Sequence, residues 1–122
     1  MSHKDAAEFV GVLLHSATAT HFLHLQTASY AAHKALGHYY ENIVGLADRW
    51  AESYQGHTGI IPLTDYPDGF KVQKDAAEYA NSLLTFVKGI RGDLPQETDL
   101  QNIVDEIVAE ITTLIYKLER FK

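Results

Sequence analysis

Apolar residues recur at intervals of three and four through most of the chain, the period of helices that bury one face. Residues 5 to 28 carry Phe9, Val12, Leu13, Ala17, Phe22 and Leu25 at that spacing, with small alanines between them, and predict a long first helix that either meets its interruption at Ser29 or runs a turn further. A second helix is expected from about Ala32 to Tyr54, through Leu36, Tyr40, Ile43, Ala47 and Trp50, closing at Gly56; the pair forms a helical hairpin. The stretch GHTGIIPLTDYPDG, residues 56 to 69, holds two prolines and three glycines, which remove backbone donors and favour turns, so it reads as a long crossover. A third helix is expected to start near Phe70 or Val72 and to run through Ala76, Tyr79, Leu83, Phe86 and Val87 to Ile90, where GIRGDLP stops it. Thr98 and Gln101 have the spacing of a capping box, and Leu100, Ile103, Ile107, Ile111, Leu114, Leu118 and Phe121 form the stripe of a fourth helix.

The β-branched cluster Ile111, Thr112, Thr113 and Ile115 offers a strand as the local alternative. A helical stripe sustained over roughly twenty residues outweighs it. Two hairpins joined by a crossover predict an all-α fold: a single domain over residues 1–122, built as an up-down four-helix bundle with its long connection between helices two and three.

Composition narrows the chemistry. The chain has no cysteine, which excludes disulfides, thiolate nucleophiles, Cys-ligated zinc and iron–sulfur clusters, and is compatible with the cytoplasmic location expected here. MSHKDAAEFV lacks the apolar core of a signal peptide, and no segment is apolar for long enough to cross a bilayer, so a membrane partner is not expected. A formal charge of −6 and the absence of a lysine-rich arm argue against nucleic-acid binding.

The candidate chemistry lies in the first two helices. In HFLHLQTASYAAH, His21 and His24 are three residues apart and share a helix face, with His33 following on the second helix. Further along, LADRWAE places Asp48 and Glu52 one turn apart, as oxygen donors for a hard or borderline metal ion. Residue 48 is rotated only about 60° from residue 33, and Glu41 belongs to the same broad face. Along a straight helix, however, residues 33 and 48 are about 22 Å apart, whereas metal ligands sit about 2 Å from their ion. His33 therefore cannot share an ion with Asp48 of its own chain. The histidine end and the carboxylate end of the hairpin are two half-sites, and a second copy related by a two-fold axis would set His21 and His33 against its Asp48 and Glu52, twice per dimer. A di-iron site inside one bundle has little support, because no Glu-x-x-His occurs and helices three and four carry Asp75, Glu78, Glu106 and Glu110 but no histidine.

At these residues the chain resembles the Dps-like, or miniferritin, branch of the ferritin superfamily. The family motif runs from a histidine to a second one twelve residues on, to an aspartate fifteen further and a glutamate four beyond, and His21, His33, Asp48 and Glu52 match it without a gap. The resemblance is clearest over residues 10 to 56 and extends as helix order over the rest. It implies a ferritin-like fold, non-haem iron with zinc able to substitute, and oxidation of Fe(II) to Fe(III) by peroxide or dioxygen at sites between chains, with His21, His33, Asp48 and Glu52 as metal ligands and catalytic residues. It also implies a homo-oligomer of two-fold dimers, such as a twelve-subunit shell that stores iron. Phe22 stands where the family usually has tryptophan, Lys34 where it has an acid, and Gly37 where a further acid is common. His24, Glu41 and Trp50 are candidates for the surrounding shell, and His24 is the histidine least expected to hold the metal directly. Trp50, Tyr30, Tyr40 and Tyr54 are candidates to take up a stray oxidising equivalent, although core packing is the commoner role for such residues. The alternatives are a non-catalytic oligomeric scaffold and a structural zinc-binding protein.

Overall fold

The computed structural model describes residues 3–63 and 71–122. Four helices carry its regular structure: α1 Lys4–Gln26, α2 Tyr30–Thr58, α3 Ala76–Ile90 and α4 Thr98–Arg120. A 3-10 turn, Arg91–Asp93, follows α3. The cluster at residues 111–115 lies within α4, where the helical stripe prevails over local β preference.

Capping chemistry sets boundaries that differ from those the apolar pattern predicts. Ser29 has extended backbone, and its hydroxyl oxygen accepts the Ala32 N–H at 3.1 Å, starting α2 after a three-residue break. Helix α2 passes Gly56 and ends at Thr58, because it is Gly59 that turns to positive φ, 106°, as its N–H reaches the Gln55 carbonyl. Helix α3 starts at Ala76 rather than near Val72; the Asp75 carboxylate caps it by accepting the Glu78 N–H at 3.0 Å. Phe70, the other expected start, lies outside the described residues. The Thr98–Gln101 box does not form. Glu97 occupies the cap position without a side-chain bond, and the Gln101 amide instead donates to the carbonyls of Arg91 and Pro95, tying the α3–α4 turn to the helix.

Side-chain contacts fix the helix directions. His3 meets Tyr54, Phe9 meets Trp50 and Ser16 meets Tyr39, so α1 and α2 are antiparallel. Asn42 bonds Glu110, Arg49 bonds Glu106 and His57 bonds Asp99, so α2 and α4 are antiparallel. Asn81 bonds Glu119 and Arg91 bonds Asp105, which sets α3 against α4 in the same way. Hence α1 and α4 run one way and α2 and α3 the other, and the end of α2 and the start of α3 lie at opposite ends of the bundle. The helices pack in the order α1–α2–α4–α3, with a thinner contact between α3 and α1.

The core is a continuous apolar cluster that includes Phe9, Leu13, Leu36, Ile43, Trp50, Val87, Leu100, Val104, Ile107 and Ile111. Trp50 packs edge-on against Phe9 at 4.8 Å and stacks on Tyr54 at 5.2 Å. On α1 the inward face continues through polar residues: Ser16 and Thr20 are fully buried, their hydroxyls bonded to the Leu13 and Ser16 carbonyls at 2.6 and 2.7 Å. The apolar pattern places Phe22 and Leu25 on that face, yet they are 41% and 69% exposed. Phe22 is nine residues from Leu13, which puts it about half a turn away around the helix.

Candidate functional site

The α1–α2 hairpin brings the three histidines of HFLHLQTASYAAH together at its closed end. His24 and His33 stack face to face, ring centres 3.7 Å apart and planes 18° apart. Each ring also bonds the other's backbone: His24 Nδ1 donates to the His33 carbonyl at 2.6 Å, and His33 Nδ1 donates to the His24 carbonyl at 2.9 Å. A carbonyl oxygen only accepts, so both Nδ1 atoms carry hydrogen and, in the neutral imidazole, the lone pair lies on Nε2. A ring held by one nitrogen while the other stays available is the usual posture of a metal-binding histidine.

His21 joins this pair from α1. It stacks on Tyr40 at 4.1 Å and meets His24 edge-on at 6.0 Å. Tyr40 in turn meets His24 at 5.3 Å and 79°, so the four rings form two stacks set nearly at right angles. His24 thus stands between His21 and His33, in ring contact with both. The backbone accommodates it through Gly37, where a Cβ would come within 3.1 Å of His24 Cε1 and 3.2 Å of its Nδ1. Any larger side chain at this position would compete with the His24 ring for the same space. Beside the array a groove of about 610 Å³ is lined by His24, His33, Lys34, His38, Tyr40 and Glu41, among others.

Asp48 and Glu52 lie towards the other end of α2. Both are exposed, and both line a shallow groove of about 690 Å³ between α2 and α4 that also includes Glu106 and Glu110. Within that groove Arg49 grips Glu106 through both terminal guanidinium nitrogens, at 3.2 and 3.1 Å, while Asn42 donates to Glu110. Asp48 and Glu52 have no such partner among the described residues. Trp50 stands between them in sequence but faces the opposite way, fully buried in the core, so its expected place beside the metal donors is not where the structure sets it. Its indole Nε1 has no hydrogen-bond partner among the described residues.

The structure therefore brings together His21, His24 and His33, sets Glu41 at the rim of their groove, and keeps Asp48 and Glu52 apart from them. Among the described residues no three His, Asp or Glu side chains converge as a complete metal-binding group within the single chain. Among the described residues no Asp or Glu is buried, and the buried hydroxyl side chains besides tyrosine are Ser16 and Thr20. What the spacing missed is His24: the three-residue interval from His21 was visible, but the ring stack and the opening at Gly37 are products of packing.

Near the end of α2, His57 Nε2 donates to Asp99 at 2.9 Å, and Ser53 donates to the same carboxylate oxygen at 3.1 Å. This hydrogen bond and the charge of Asp99 raise the His57 pKa above its ordinary value, and the bond from His57 lowers that of Asp99. Both hydrogen bonds end on the carboxylate, so serine and histidine are not linked as nucleophile and base; the cluster fastens α2 to α4.

No helix among the described residues is long and apolar enough to cross a membrane. The chain is 28% identical over 102 residues to an uncharacterized 14.6 kDa protein encoded in the mobD–ri intergenic region of enterobacteria phage T4, an alignment covering 84% of this chain and 78% of that protein. No solved structure matches it. A family described as of unknown function, DUF5856, matches residues 24–118, a span that includes His24, His33, Asp48, Glu52 and all of α3. The chain belongs to the DUF5856 family.

Proposed function

We propose that this protein is a ferritin-like iron-binding protein of Dps-like character that oxidises Fe(II) at sites shared between two copies of the chain. The observation that carries the reading is the division of donors along one hairpin: imidazoles with available Nε2 atoms at its closed end, and two carboxylates, unpaired among the described residues, one turn apart towards the other. The helix directions add support. A connection that leaves α2 at one end of the bundle and enters α3 at the other is the arrangement of ferritin-like bundles with a single crossover.

In this reading two hairpins pack antiparallel about a two-fold axis, so that the histidine end of each faces Asp48 and Glu52 of the other. Imidazole nitrogen suits a borderline ferrous ion, and the carboxylates favour the harder ferric product. Each ferrous ion gives up one electron. Two Fe(II) would supply two electrons that, with two protons, reduce one peroxide to two waters, and Asp48 and Glu52 would hold the ferric product. Larger assemblies, including a twelve-subunit shell, are built by repeating the same dimer.

The test is to load the protein anaerobically with Fe(II), add peroxide and follow ferric absorbance. The reading predicts a fast phase above the protein-free rate that is lost in a His21→Ala/Asp48→Ala double variant. An unchanged rate in that variant overturns it, and zinc-dependent dimerisation without turnover favours the structural zinc alternative.

A further inference from the structure

The ring geometry of the histidine array decides which imidazoles are able to share an ion. Metal–nitrogen bonds of about 2.1 Å place an ion about 3.2 Å from each ring centre, so two imidazoles bound at a right or tetrahedral angle have centres about 4.5–5.5 Å apart. His24 and His33, at 3.7 Å and nearly parallel, do not meet this condition. An ion lying in the plane of one ring would stand about 3.5 Å out of the plane of the other, away from its nitrogen lone pair. His21 and His24 are different: they occupy neighbouring positions on one helix face, 6.0 Å apart and at 68°, within about 1 Å of the chelating separation.

We propose that His21 and His24 of α1 are the nitrogen pair that binds a borderline divalent ion, and that His33 is a positioning residue. This assigns to His24 the direct role that the family resemblance gives to His33. The His33 carbonyl holds His24 Nδ1–H and its ring supports the His24 face, which fixes the tautomer that offers Nε2 to the ion. Gly37 is the second positioning element, because it leaves room for the His24 ring against α2. The proposal rests on the metal-binding reading above for its cargo, but the chelate itself is contained in one chain.

Zinc alone is the probe. Zn(II) affinity is measured by calorimetry, and the imidazole nitrogens are followed by long-range 1H–15N NMR, in the full chain and in His21→Ala, His24→Phe, His33→Phe and Gly37→Ala. His24→Phe removes the proposed ligand and is expected to weaken zinc binding by more than about tenfold, at least the loss typical of outer-shell changes. His33→Phe keeps a stacked ring and the backbone carbonyl, and is expected to hold affinity within about threefold, less than 1 kcal/mol. In the unsubstituted chain, zinc is expected to shift Nε2 of His21 and His24 while His33 Nδ1 stays protonated.

Gly37→Ala separates fold from site. It adds a favourable helix residue and so protects helicity, yet it displaces the His24 ring, and a severalfold loss of zinc affinity is expected with far-UV circular dichroism unchanged. Loss of binding in His21→Ala and His33→Phe but not in His24→Phe overturns this inference and leaves the metal-binding reading standing. Unchanged affinity in all four variants, or no zinc binding by the unsubstituted chain, overturns both.

Discussion

The buried bond between Ser16 and Tyr39 makes a quantitative prediction about the hairpin that carries the histidines. Tyr39 OH lies 2.8 Å from Ser16 Oγ, while the Ser16 hydroxyl proton is directed to the Leu13 carbonyl at 2.6 Å, so Tyr39 is the donor of the pair. Ser16 is fully buried and Tyr39 is 1% exposed; burial pushes the Tyr39 phenol far above its ordinary range, and the Ser16 bond only partly offsets this. The two single substitutions are therefore unequal. Tyr39→Phe removes one hydrogen bond but leaves Ser16 Oγ bonded to Leu13, at a cost of about 0.5–1.5 kcal/mol. Ser16→Ala strands a buried phenolic hydroxyl and costs about 1–3 kcal/mol. In the double variant no polar group is stranded, so the combined loss falls short of the sum by about 1 kcal/mol. Urea unfolding followed by circular dichroism measures all three, and each kcal/mol corresponds to about 4 °C in Tm for a chain of this size. Additive losses, or a Tyr39→Phe loss larger than that of Ser16→Ala, would refute the geometry. The pair matters to the site because Ser16 lies on the same helix as His21, and Tyr39 immediately precedes Tyr40, on which His21 stacks.

Two further predictions concern the C-terminal end of α2. Gly59 has φ 106° and ψ 177°, a combination that side chains resist, so Gly59→Ala is expected to destabilise the protein by about 1–3 kcal/mol, whereas Gly56→Ala, where a Cβ meets open space, is expected to be neutral or stabilising; thermal unfolding separates the two. His57 has its folded-state pKa raised by Asp99, so its contribution to stability is fully present below about pH 6.5 and is lost as pH rises through the raised value, while that of Asp99, whose pKa is lowered, is lost only as pH falls through its own. An NMR titration of the His57 ring is expected to give a pKa above the ordinary histidine value that moves back towards it in Asp99→Asn; an unmoved midpoint excludes the pairing.

The four helices were legible because their apolar spacing continued through most of each segment, and the long connection between α2 and α3 followed from the two prolines and two glycines in the stretch between them. Helix boundaries were less legible. They depend on which of several competent residues takes the cap: Gly59 rather than Gly56, Asp75 rather than a position near Val72, and a Gln101 that serves the preceding turn instead of its own helix. The pattern also misplaced Phe22 and Leu25, because α1 fills its inward positions near that end with Ser16 and Thr20, whose hydroxyls are satisfied by helix carbonyls and read as surface residues in sequence.

For the candidate site, rise per residue was enough to separate the histidine end from the carboxylate end, since about 22 Å does not depend on side-chain detail. The role of His24 was not accessible in that way. It arises from two helices approaching closely enough for a ring on one to sit at Gly37 on the other and exchange hydrogen bonds with His33. A helix-wheel reading does identify the inward direction of Trp50: two residues from either Asp48 or Glu52 is about 200° of rotation, which sends the indole away from both carboxylates.

Subunit complementation tests the proposed intersubunit site most directly. A His21→Ala chain keeps the carboxylates, and an Asp48→Ala/Glu52→Ala chain keeps the histidines; each alone is predicted to lose the fast peroxide-dependent oxidation of Fe(II). After the two are unfolded and refolded together, random pairing makes about half of the dimers mixed, and each mixed dimer has one intact site out of two, so activity is predicted to return to about one quarter of the unsubstituted level. A mixture no more active than its separate components would contradict a site built from two chains.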